Sequence, residues 1–106
     1  MKVTKYNKLV RDNIPLIIEK SGKKAIVKRL TDEDYIDALN LKLGEELVKY
    51  LESGEIEELA DMLEVIYGIL DYKGISISQF ENVRKDKLKK RGSFKERLML
   101  VEVVEE

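Results

Sequence analysis

The sequence predicts a mainly helical fold, an antiparallel arrangement of helices carrying a small two-stranded β appendage, and two observations predict it. First, Leu41–Leu70 carries apolar residues at helical spacing on both sides of Ser53 and Gly54, so it reads as two helices folded back on each other. Second, only two short stretches have strand character. They are Ala25–Leu30, with β-branched Ile26 and Val27, and Arg97–Val104. They are natural partners, and because a two-stranded sheet is marginal alone, it must pack against the helices.

Taken in order, residues 1–12 carry three Lys and one Arg without periodicity. Asp12 or Asn13 can cap a first helix with Pro15 in its opening turn, and Ser21-Gly22 end it. Thr31 offers a capping box with Asp34, opening a long helix to about Glu52. Gly44 inside it costs about 1 kcal/mol relative to Ala and suggests close approach by a neighbour or a ligand, with plain packing the simpler reason. The next helix runs from about Glu55 to Asp71 and stops at Lys73-Gly74. Ser76 and Gln79 form a second capping box, opening a helix through about Lys90 that Gly92-Ser93 breaks. Phe94 then reads as a plug for the core or, less simply, as a stacking platform for a base.

The central pair concentrates carboxylates. If the turn centres between Ser53 and Gly54, residues whose numbers sum to 107 lie level, which sets Glu46 against Asp61 and Lys49 against Glu58. Ile36, Leu39, Leu43, Leu47, Tyr50 and Leu51 form one apolar stripe. Leu59, Met62, Leu63, Ile66, Ile69 and Leu70 form the other. Glu46 and Glu58 fall roughly 70–80° off the centres of these stripes, at the edge of the seam. Acids gathered there repel one another unless a cation sits among them. The plainer alternative is two solvated acidic faces with some interhelical ion pairs.

Composition narrows the chemistry. The 106 residues fit one domain spanning 1–106, and 20 Lys and Arg against 21 Asp and Glu argue against general nucleic-acid binding. No Cys excludes disulfides and thiolate metal sites, and no His removes imidazole ligation and the usual general base. Any metal must then be held by oxygen, which points to Mg2+ or Mn2+. No apolar run approaches the roughly 18 residues of a membrane span, and the charged start does not resemble a signal peptide, so a cytosolic location is expected. Basic groups flank the acids: Lys8 and Arg11, beside Asp12, near the start, and Lys87 and Arg91 late in the chain. An acidic metal cradle between phosphate-gripping cations is what magnesium-dependent polyphosphate chemistry requires, although each basic stretch alone also reads as solvated surface.

The opening YNKLVRDNIP, the central KLGEEL with EELADMLEVIYGIL, and the late KDKLKKRGSF together resemble the MazG-like, all-α nucleoside triphosphate pyrophosphohydrolases. Within them they are most similar to the small branch related to phosphoribosyl-ATP pyrophosphohydrolase. The resemblance covers nearly the whole chain. It implies a helical bundle of that type, a homodimer or dimer of dimers, and Mg2+-dependent cleavage between the α and β phosphates. It further implies that Glu45, Glu46, Glu58 and Asp61 are catalytic and that Glu46, Glu58 and Asp61 are the metal ligands. Lys8, Arg11, Asp12, Lys87 and Arg91 would meet substrate. The chain departs from the pattern at one place: Lys49 stands where a third Glu is expected. Level with Glu58, its ammonium is expected to pair with that carboxylate and take the space of one metal ion.

Overall fold

The computed structural model describes residues 1–106 and contains four helices and no strand. They are α1 (Ile14–Lys20), α2 (Asp32–Ser53), α3 (Ile56–Tyr72) and α4 (Ile77–Arg91). The chain divides into two compact units, Met1–Gly74 and Ile75–Glu106. No helix is long and apolar enough to cross a membrane.

In the first unit, Pro15 sits in the opening turn of α1, where its missing N–H costs nothing. Neither expected cap forms there: Asn13 occupies the N-cap position in helical conformation and makes no side-chain cap bond. Ser21 ends α1, its Oγ donating to the Ile18 carbonyl at 2.6 Å. Thr31 Oγ1 accepts from the Asp34 N–H and opens α2, while Asp32, Glu33 and Asp34 complement the positive end of the helix dipole. Gly54 ends α2 at φ 66°, a left-handed conformation natural to glycine, and its N–H donates to the Tyr50 carbonyl at 2.7 Å. Only Gly54 and Glu55 separate α2 from α3. So short a link folds the helices back antiparallel, with Tyr35 meeting Tyr72 and Leu39 meeting Gly68 across the pair.

The seam differs from the expected one in its rotation. Leu39 and Leu70 are the buried apolar residues, and Glu46, 3% exposed, is buried with them. Leu47, Leu51, Leu59 and Leu63, placed in the stripes by spacing, are exposed at 44%, 72%, 41% and 43%. Both helices are apolar over more than one face, so averaging their apolar positions swings the apparent centre towards solvent. Glu46 therefore lies in the seam and not at its edge. Gly44 is also not a close-approach position, since a Cβ there meets nothing within 4 Å. That role falls to Gly68, where a Cβ would stand 3.0 Å from Leu39 Cδ2.

The β appendage does not form. Residues 25–30 have no strand pairing, and Ile26 and Val27 are exposed. In the second unit, Ser76 and Gln79 make both bonds of the capping box that opens α4. After Gly92 the chain turns through Arg97, whose N–H donates to the Phe94 carbonyl and whose φ is 58°. A left-handed residue at that point breaks the extended run expected from Arg97, and residues 98–104 remain unpaired. Phe94 is 97% exposed and plugs no core.

Candidate metal and phosphate site

The fold-back of α2 on α3 sets Glu46 against Glu58 and Asp61. One carboxylate oxygen from each lies within 4.8 Å of the others, a spacing that suits a shared cation. Glu46 comes from the middle of α2, while Glu58 and Asp61 stand one turn apart at the start of α3. Glu46 is the unusual member. Its Oε2 is buried and has no hydrogen-bond partner, a costly state for a carboxylate. The donor set is all oxygen, which fits magnesium or manganese.

Cations ring the cluster on one side. Lys42 Nζ lies 3.5 Å from Oε1 of both Glu45 and Glu46. Lys49 Nζ lies 3.4 Å from Oε1 of Glu46 and 3.5 Å from that of Glu45. The expected Lys49–Glu58 pair is thus replaced by pairs within α2, because residues three and four apart share a helix face. Lys42 escaped the sequence reading, although its spacing from Glu45 and Glu46 is the same signal. Its side chain is only 15% exposed, so its charge is spent on these carboxylates and not on solvent.

The amino-terminal segment reaches both helices. Lys8 donates to Glu45 Oε1 at 3.2 Å, and Arg11 Nη2 donates to Asp61 Oδ1 at 2.6 Å. Between this segment, α1, α2 and α3 lies a cleft of about 710 Å³. Lys8, Arg11, Asp12, Lys42, Glu46 and Asp61 line its polar part, and Ile14, Ile17, Tyr35, Leu39 and Val65 its apolar part. Of the five expected site residues outside α2 and α3, three come together and two stand apart. Lys8, Arg11 and Asp12 share the cleft, while Lys87 and Arg91 are exposed on α4 in the second unit.

Titration follows from these neighbours. Burial works to raise the Glu45 carboxyl, but the Lys8 hydrogen bond and the charges of Lys42, Lys8 and Lys49 outweigh it and hold it below its ordinary value. Glu58 goes the other way. Desolvation, then the charges of Glu46 and Asp61, push its carboxyl up against the opposing pull of Lys49. Lys49 is held above its ordinary value: desolvation would lower it, but Glu46 and then Glu45 prevail.

No family model matches the chain, and no solved structure matches it. A stretch of 41 residues is 44% identical to an uncharacterized protein of Mycolicibacterium smegmatis. The match covers 39% of this chain and 42% of that protein, and it is a likeness of sequence without a function attached.

Proposed function

We propose that the chain hydrolyses a nucleoside triphosphate, or a related phosphoribosyl nucleotide, between the α and β phosphates, giving monophosphate and pyrophosphate with Mg2+ or Mn2+. The observation that supports this reading most is the buried, unpartnered Oε2 of Glu46 beside Glu58 and Asp61, with Glu46 and Asp61 lining a cleft that Lys8 and Arg11 also line. Glu46, Glu58 and Asp61 would hold the ion, whose charge offsets that of the phosphates and the leaving pyrophosphate. Lys8 and Arg11 exchange their carboxylate partners for phosphate oxygens, Arg11 by its planar fork. Asp12 borders the same cleft, and Lys87 and Arg91, in the second unit, are candidates for phosphate or sugar contact by resemblance to the MazG-like enzymes alone. Without histidine, a carboxylate such as Glu45 would accept the proton of the attacking water, or that water would be acidified directly by the ion. Glu45 is a poor acceptor, because its neighbouring ammonium groups hold it low. The test is pyrophosphate release across a panel of ordinary and damaged triphosphates with either ion. A purified chain that releases none sinks the reading.

Lys49 favours a second reading, a nucleotide-binding relative without turnover, since its ammonium already occupies Glu45 and Glu46. Lys49→Glu separates the two: a silent relative gains turnover, and a competent enzyme changes little. The same proposal includes self-association as a homodimer or dimer of dimers. Leu47, Val48 and Leu51 on α2, with Ile56, Leu59 and Leu63 on α3, are exposed apolar residues that a second copy could cover. Leu51→Glu should leave a monomer in sedimentation, and a wild-type chain that is already monomeric removes that part.

A further inference from the structure

Glu46 divides the acidic cluster into two unlike halves. On its Oε1 side, Lys42 and Lys49 stand between it and Glu45, each within 3.5 Å of both carboxylates. On the other side are its unpartnered Oε2, Glu58 and Asp61, where no lysine ammonium lies within ion-pair distance. We infer that the protein's own ammonium groups, Lys42 and Lys49, fill one half of this cluster, so that it takes a single divalent ion, held by Glu46, Glu58 and Asp61. The inference rests on the proposed function and adds the number of ions and what stands in the place of another.

The charges argue for one ion. Glu45, Glu46 and Asp61 are already paired with Lys8, Arg11, Lys42 and Lys49, and Glu58 alone of the four carboxylates is in no ion pair. One divalent ion adds two positive charges, which a bound polyphosphate offsets. A second would enter beside two ammonium groups, sharing carboxylate oxygens that those groups already hold, and like charges so close are strongly repelled. The lysines also explain why Glu46 tolerates burial: they compensate one oxygen and leave the other free for the ion.

Mn2+ titrated into the full chain, with the free ion counted by electron paramagnetic resonance, tests this without any turnover. The wild type should bind one Mn2+ per chain, and Lys49→Glu, which exchanges an ammonium for a carboxylate, should bind two. Two ions in the wild type overturn the inference and leave the proposed function standing, as does a single ion in a folded Lys49→Glu. No ion in the wild type overturns both. The wild-type count needs no variant, so it decides alone if Lys49→Glu does not fold.

Discussion

Tyr35 and Tyr72 meet edge to face, ring centroids 6.1 Å apart and planes at 73°. They obey the same numerical sum across the turn as Leu39 with Gly68 and Glu46 with Asp61. One register thus runs along the α2–α3 pair, fixed at the open end by aromatic contact worth about 0.5–1.5 kcal/mol beyond its buried area. The carboxylates meet because this register brings them level.

The two helix glycines should answer the same substitution with opposite signs. Gly68→Ala puts a Cβ 3.0 Å from Leu39 Cδ2, in the seam. The overpacking costs about 1–3 kcal/mol, and the gain in helix propensity of about 1 kcal/mol offsets only part of it. Gly44→Ala meets nothing within 4 Å and should gain up to about 1 kcal/mol. Thermal melts of both variants check this, and a Gly68→Ala chain as stable as the wild type would contradict the register.

Glu46→Gln should separate folding from ion binding. An amide replaces the oxygen that lacks a partner and can donate to Glu58 or Asp61, so the ion-free chain should melt no lower than the wild type. Millimolar Mg2+ or Mn2+ should raise the wild-type Tm, because an ion that binds only the folded state stabilises it by mass action. The variant should lose that rise, and turnover should fall at least about 100-fold, in line with about 2.7 kcal/mol. An equal rise in both chains would place the ion elsewhere.

Much of this was legible in the sequence. Glycine and cap residues mark the helix ends through local chemistry, as Thr31, Gly54 and Ser76 do, and a two-residue link leaves the two long helices little choice but to fold back. The level of Glu46 against Asp61 follows from that turn alone. Rotation about the helix axis was not legible. Leu47 and Leu51 count as apolar in any periodicity, and nothing local says that they face outward while Glu46 faces in. Lys49 was placed by height alone, whereas its flexible side chain reaches along α2 to Glu45 and Glu46. The strands failed for a related reason. β-branched composition gives a segment no partner, and the positive φ at Arg97 is a turn geometry that composition does not reveal.

Glu58 sets the sign of one pH dependence. Its carboxyl titrates above its ordinary 4.5 in the folded chain. The folded state therefore holds a proton that the unfolded state has released between those two values. Its contribution to stability is fully present below the ordinary value and is lost as pH climbs through the raised one. Glu45 opposes it: its lowered carboxyl contributes above 4.5, and that contribution is lost as pH falls through the depressed value. Glu58→Gln should therefore raise the ion-free Tm at neutral pH and have little effect in acid. Added Mg2+ should restore the wild type and not the variant. Melts across pH with and without ion measure this, and a variant less stable than the wild type at neutral pH without ion would contradict the repulsion.

Arg11 touches a metal-ligand candidate, and that contact makes its loss informative in two directions. Its pair with Asp61 is short at 2.6 Å, but both side chains are well exposed, 55% and 40%, so it adds no more than about 1 kcal/mol to stability. Arg11→Ala should fold normally. Freed from its guanidinium partner, Asp61 should bind Mn2+ more tightly than in the wild type. The triphosphate loses a charge-assisted contact worth about 1.5–3 kcal/mol, so its KM should rise about 10- to 150-fold. Arg11→Lys should restore the charge without the planar fork and recover part of that loss. A merely structural arginine would weaken ion and nucleotide binding together. Tighter Mn2+ binding with weaker nucleotide binding, read by titration and by initial rates, is the outcome expected of a cation that waits on a carboxylate for a phosphate.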